Sequence, residues 1–164
     1  MNGLKMRGQY QLVHKRNGEV LSVQEFHNDI TNQGLDAILD IMFHANTQIT
    51  TWYMGLIDNS GYSAVANADT MSSHAGWNEF TTYSQATRPE WTEGASSSQV
   101  MTNSAAIQFS ITGSGTLKGI LLASNSTKGG TTGTLWSTAL FSANLIVTSG
   151  DTLELTYSIS ASRA

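Results

Sequence analysis

Two runs of alternating apolar and polar residues open the chain, QYQLVHK and EVLSVQEF, and Asn17-Gly18 lies between them. Asn-Gly supplies the positive φ values of a type I′ turn and is the strongest short-range hairpin signal. The pattern therefore predicts a β-hairpin over residues 9–26. A turn centred on Asn17-Gly18 sets Arg16 opposite Glu19, His14 opposite Leu21 and Leu12 opposite Val23. Tyr10, Leu12, Leu21 and Val23 then share one face, which is expected to be buried. The period changes at residues 31–44, where Leu35, Ile38, Leu39, Met42 and Phe43 recur at the spacing of one helical face. This is the one amphipathic helix expected in the chain. Thr31 or Asn32 can cap it, and Asp36 sits in an early turn, where the helix dipole favours negative charge. Asp36 and Asp40 lie together, away from the apolar stripe, as a solvated pair.

From residue 50 onward the pattern is strand and loop. TWYMGLID (51–58) is a near-continuous apolar run ending at the turn Asp58-Asn59-Ser60-Gly61 and predicts a central strand. A long loop over 62–76 follows, then a strand at 77–83, a short one at 88–91 beside Pro89, and a flexible loop over 94–99. Residues 105–112 alternate, Gly113-Ser114-Gly115 turns the chain, and 117–123 forms another strand. An exposed loop, SNSTKGGTTG (124–133), precedes strands at 135–141 and 143–147, broken near Ser142. Asp151–Ala161 alternates most cleanly, with Leu153, Leu155, Tyr157, Ile159 and Ala161 on one side. Short strands separated by turn signals predict a mainly β fold, a β-sandwich or jelly roll, with the N-terminal hairpin and one helix added. No internal repeat or linker divides residues 1–164, which are read as one β-rich domain with 1–8 as an N-terminal arm.

Composition sharpens this picture. The 164 residues include 20 Ser and 20 Thr, only 12% charged residues, one Pro and no Cys. Low charge and a single Pro exclude a disordered chain, and four Lys with six Glu exclude a coiled coil. No apolar run reaches the ~20 residues of a membrane helix, and the start, MNGLKMRGQY, lacks the apolar stretch of a signal peptide. No association with membrane is expected. Without Cys there is no disulfide framework and no thiolate metal site. A net charge of −4 argues against a general nucleic-acid binder.

Catalytic signatures are missing. The chain has no G-x-S-x-G elbow, no phosphate-binding P-loop and no H-E-x-x-H. In KGGTTG (128–133) the Lys precedes the glycines, so a flexible turn is expected rather than a phosphate site. DNSG (58–61) lacks the further acids of a calcium loop. His74 alone among the four histidines lies near other polar residues (Asp69, Ser72, Ser73 and Glu79). A hydrogen-bonding role is expected there, with a Ser–His–Asp constellation as the catalytic alternative. No enzyme activity, cofactor or metal is expected. Four of the eight basic residues, Lys5, Arg7, Lys15 and Arg16, lie in the first sixteen positions. They form either a solvated edge or a basic arm that docks on an acidic partner. Trp77, Arg88 and Trp91 are of residue types enriched at binding hot spots. The Trp rings could equally stack on a sugar or fill the core.

The segments WYMGLID (52–58), DTMSSHAGWNEF (69–80), YSQATRPEW (83–91), LWSTALFS (135–142) and GDTLELTYSIS (150–160) resemble a family of small virion proteins from tailed bacteriophages and prophages. The likeness runs in order from about residue 28 to the C-terminus, and DTMSSHAGW followed by RPEW is its most specific part. It implies a capsid decoration or cement protein, made in the bacterial host cytoplasm and carried on the capsid surface. Its implied partners are major capsid subunits and further copies of itself, as a dimer or trimer. The family carries over no catalytic residues. A tail, collar or fibre-adaptor protein is the structural alternative. A carbohydrate-binding module using Trp77 or Trp91, and an enzyme centred on His74, come from other classes.

Overall fold

A computed structural model of the chain describes residues 3–163. In chain order its elements are β1 (Leu4–Arg16), β2 (Glu19–His27), β3 (Asp29–Ile30), α1 (Asn32–Phe43), β4 (Tyr53–Asp58), β5 (Asn78–Phe80), β6 (Val100–Thr102), β7 (Ile107–Ser110), β8 (Gly115–Ala123), β9 (Leu135–Val147) and β10 (Asp151–Arg163). The strands form two antiparallel sheets. One has the order β2-β1-β10-β6, with β7 also on β10; the other has the order β3-β9-β8-β4-β5. Tyr10, Leu12 and Leu155 of the first sheet meet Leu56, Ile120 and Leu122 of the second in one core. The fold is mainly β, a sandwich with an N-terminal hairpin and one helix, as the periodicity predicts.

The second sheet is buried on both faces. Its outer face carries Ile57, Leu121, Ala123 and Leu135, and the segment after β4 folds back over them through Met71 and Trp77. Two-sided burial explains why β4 reads as an unbroken apolar run instead of alternating.

The hairpin turn is as predicted, with Asn17 at φ 52° and Gly18 at φ 84°. Arg16 pairs with Glu19 and Lys15 with Val20, but His14 then pairs with Ser22, so Leu21 is an extra residue in β2. This bulge shifts the rest of the strand by one position, and a one-residue shift exchanges the two faces. Leu12 therefore faces Gln24, and Phe26 takes the place opposite Tyr10. Phe26 stacks on Tyr10 at 5.3 Å between ring centroids. Leu21 and Val23, expected in the core, are exposed.

Of the arm expected over 1–8, residues 1 and 2 lie outside the described residues, and residues 4–8 belong to β1. β1 pairs with β10 from Leu4–Arg163 to Arg16–Asp151. β2 covers only the stretch of β1 from Gln9 onward, so the start of β1 and the end of β10 form a two-stranded ribbon. On the other side of β10, β7 pairs with Thr152–Leu155 and β6 with Ser158–Ser160. Asn103 closes the seam between β6 and β7. Its Oδ1 accepts from Tyr157 N at 2.8 Å and its Nδ2 donates to Leu155 O at 3.3 Å, so a side-chain amide continues the ladder. Residues 94–99, expected to be a flexible loop, form the turn of a small hairpin. Ser97 and Val100 exchange backbone hydrogen bonds, and Ser98 and Gln99 adopt positive φ. The predicted break near Ser142 is an expansion within one strand. β8 advances from Leu117 to Gly119 while its partners on β9 run from Leu145 to Leu140.

Thr31 caps α1, accepting from Gly34 N at 3.0 Å, and the Thr31 hydroxyl also donates to Leu135 O. Gly34 is the buried contact of the helix. A Cβ at position 34 would lie 2.4 Å from Trp136 O, so only glycine lets the helix approach β9 this closely.

Candidate interaction surface

The residues of most pronounced chemistry are used inside the molecule. Trp77 is 1% exposed, and its Nε1 donates to Asp69 Oδ2 at 2.9 Å. His74 stacks on the Trp77 ring at 3.9 Å, and its Nδ1 lies 3.0 Å from Trp77 O. His74 thus pins the segment that covers the second sheet, and no serine hydroxyl is bonded to its ring among the described residues. Trp91 is 3% exposed and packs against Tyr157 at 5.2 Å.

Arg88 is 1% exposed. Its Nε and Nη2 donate to the two carboxylate oxygens of Glu79 at 3.0 and 2.7 Å. Nη1 donates to Asn125 O at 2.8 Å and Nη2 to Gly130 O at 2.9 Å. The Glu79 carboxylate takes the space over β4 that a side chain at Gly55 would need, since a Cβ there would lie 2.8 Å from Oε1. Lys128 holds the same loop down by donating to the carbonyls of Tyr83 and Gln85 at 2.9 and 2.7 Å. The loop over 124–133, whose KGGTTG segment (128–133) is expected to be a flexible turn, is therefore tethered at several points. Trp77, Arg88 and Trp91, candidates for partner binding, are interior, and the two Trp rings take the core-filling alternative. Apolar neighbours surround the two rings, the polar groups of Trp77 and Arg88 are paired, and residue type alone does not report that environment.

The basic residues near the N-terminus divide into two sets. Lys15 Nζ donates to Glu154 at 2.7 Å. Arg16 grips the buried Asp151 with Nε and Nη2 at 2.7 and 2.9 Å, and His14 Nε2 lies 2.8 Å from the same carboxylate. The Arg16 guanidinium, helped by the Thr148 amide and His14, holds the Asp151 carboxyl well below the usual carboxylate range. Lys5 and Arg7 are exposed on the ribbon and take part in no ion pair among the described residues.

What the surface does offer is apolar. Leu35, Leu39, Met42 and Phe43 of α1 are 45%, 56%, 66% and 80% exposed. They belong to the stripe that periodicity assigns to the core. The helix seats through Gly34, Ile41 and, of the stripe, only Ile38, a line about one residue, or 100°, around its axis from the exposed four, because Gly34 sets the closest approach to β9. Beside the helix runs an apolar groove of about 280 Å³, whose lining includes Ile38, Met42, Trp52, Met101 and Ile159. A second apolar patch lies on the hairpin, where Val20, Leu21 and Val23 are each about half exposed. Among the described residues no cluster of His, Asp and Glu has the spacing to hold a metal ion, and no helix is long and apolar enough to cross a membrane. No known family model matches the chain, and no curated protein is significantly similar to it.

Proposed function

We propose that this chain is a structural protein of a tailed-phage virion, a capsid decoration or cement protein whose work is surface contact rather than catalysis. The observation that carries the reading is the hairpin patch. Val20, Leu21 and Val23 stand out together from a strand at the edge of a sheet. Contiguous exposed apolar side chains on a soluble domain mark contact sites, and an edge strand offers unpaired backbone groups to a neighbour. The motif resemblance to tailed-phage proteins supplies the partner, the major capsid subunit. A shell protein gains strength by repeating a modest contact over a symmetric lattice.

The test is the copy number of the protein in purified virions, by quantitative mass spectrometry against the major shell protein. Decoration requires a number comparable with the shell protein. A number matching portal or tail components would place it in the neck or tail, as a collar or fibre-adaptor protein. Its absence from particles would overturn the reading. A Leu21→Asp/Val23→Asp variant should fold normally and be lost from virions.

A further inference from the structure

The groove beside α1 extends into the sandwich. Leu122 and Trp136 line it from the second sheet and Met101 and Ile159 from the first, and all four belong to the main core or pack against it. Ile38 of α1 and Trp52, just before β4, also line it. It therefore opens into the space between the two sheets. At about 280 Å³ it has room for about nine water-sized groups. Small-molecule pockets begin at about 300 Å³, close to this size. Stable protein contacts spread over about 800 Å² per partner, whereas a small molecule binds in a concave, mostly apolar recess with a few polar groups. The groove has the second form.

One wall carries an unused hydrogen-bond donor. Trp91 lines the groove, and its Nε1 is buried and meets no acceptor among the described residues. Two other indoles are satisfied: Trp136 Nε1 donates to Tyr157 Oη at 3.0 Å, and Trp77 Nε1 donates to Asp69. A buried donor without a partner bears its full desolvation cost, so an acceptor brought to it is rewarded. Nε1 lies below the surface, so a ligand reaches it by moving lining side chains, and Met42 and Met101 are the adaptable ones. Charge narrows the class of ligand. Glu93 is the one charged side chain of the lining among the described residues, and it forms no ion pair there. A carboxylate ligand meets repulsion from it, and a neutral oxygen does not.

We propose that the groove binds a small neutral molecule with a compact apolar body and one acceptor oxygen, as in a ketone, an ester or an ether. The body fills the space beside Ile38, Met101 and Ile159, and the oxygen accepts from Trp91 Nε1. Burial of the body supplies the affinity. Trp91 and Glu93 set the selectivity, the indole by rewarding an acceptor and the carboxylate by excluding an anion. The lining includes none of Val20, Leu21 and Val23, so this site is separate from the hairpin patch.

The test is an NMR titration of the isotope-labelled full chain with acetophenone, isopropenylbenzene and benzoate. These probes are closely similar in shape and carry a neutral acceptor, no acceptor and a charged acceptor. The chain has four tryptophans, and the Trp91 indole resonance is the one missing from Trp91→Phe. Acetophenone should bind saturably, with a Kd of about 1 mM or tighter. It should shift the amides that line the groove and move the Trp91 indole proton downfield. The Trp77 indole, which lies in the other core cluster, should stay in place. Isopropenylbenzene should shift the same amides without the downfield move, and benzoate should bind at least about tenfold more weakly than acetophenone. Trp91→Phe should weaken acetophenone at least about fivefold more than isopropenylbenzene, a cycle that isolates the contact between oxygen and indole. Ile159→Trp should fill the groove and abolish binding of both; if that variant does not fold, the wild-type shifts decide. Absence of saturable acetophenone binding would overturn the proposal and leave the groove to a partner's side chain. Shifts outside the groove, a Trp91 indole that acetophenone does not move, an equal loss of both neutral probes in Trp91→Phe, or benzoate binding as tightly as acetophenone would each overturn it too.

Discussion

Replacing Arg88 with Met keeps most of the side-chain volume and removes the charge. Glu79, whose side chain is 6% exposed, then loses both guanidinium hydrogen bonds and keeps the Gly129 amide at 2.8 Å. The carbonyls of Asn125 and Gly130 lose their donor as well. Removing one partner of a buried ion pair costs about 3–5 kcal/mol, chiefly because the other charge stays desolvated. Against a total stability of about 5–15 kcal/mol, that is about a fifth or more of what holds the fold together. With an m-value of about 2 kcal/mol/M, a loss of about 4 kcal/mol lowers the urea midpoint by about 2 M. Equilibrium urea unfolding followed by tryptophan fluorescence measures it. The Glu79→Gln/Arg88→Met double variant removes both charges and should cost clearly less than the sum of the single variants. Hydrogen exchange should rise selectively in the loop over 124–133, which Arg88 ties down. An Arg88→Met cost below about 1 kcal/mol, or strict additivity with Glu79→Gln, would refute the account of this pair as a buried, coupled clamp.

Gly34→Ala raises intrinsic helix propensity by about 1 kcal/mol, yet it should lower the melting temperature. The new methyl meets the Trp136 carbonyl at 2.4 Å, and overpacking of this kind costs about 1–3 kcal/mol; a rise in Tm would show that α1 is not seated as described. The depressed Asp151 pKa adds stability that is fully present above the ordinary carboxylate range and is lost as pH falls through about 4 and below. The urea midpoint contributed by this pair should therefore hold from pH 6 to about pH 4.5 and fall below about pH 4, and Asp151→Asn should be less stable at pH 6 with a flatter acid limb.

The parts of this fold that follow from local pattern are legible in the sequence. The Asn17-Gly18 turn, the alternation of β10 and the two-sided apolar run of β4 each reflect a rule that acts within a few residues. What the pattern misses depends on distant neighbours. Nothing near Leu21 signals that β2 accommodates an extra residue, and that one residue moves Val23 out of the core and Phe26 into it. The helix is predicted in extent, but four of the five residues of its apolar stripe are turned away from the sheets because Gly34 lies against β9, about a hundred residues along the chain. Periodicity reports that a face is apolar and not what covers it. The burial of Arg88 has a fainter trace, in the glycine at position 55 that leaves room for Glu79. β6 escapes notice because it is three residues long and relies on Asn103 to join it to its neighbour.

The pairing of β1 with β10 also has a temporal side. The first strand of the chain finds its main partner about 140 residues later, and at 5–20 residues per second a ribosome needs roughly 7–30 s to deliver it. During that interval the hairpin has emerged with one edge of β1 bare, and the sandwich cannot close. Long-range pairing of this kind slows folding and leaves strand edges open to the wrong neighbour. A chain cut short before β10 lacks the ribbon as well as half of the first sheet. Without Leu153, Leu155 and Tyr157 the core stays open, so an unfinished product is marked by its own exposed apolar face.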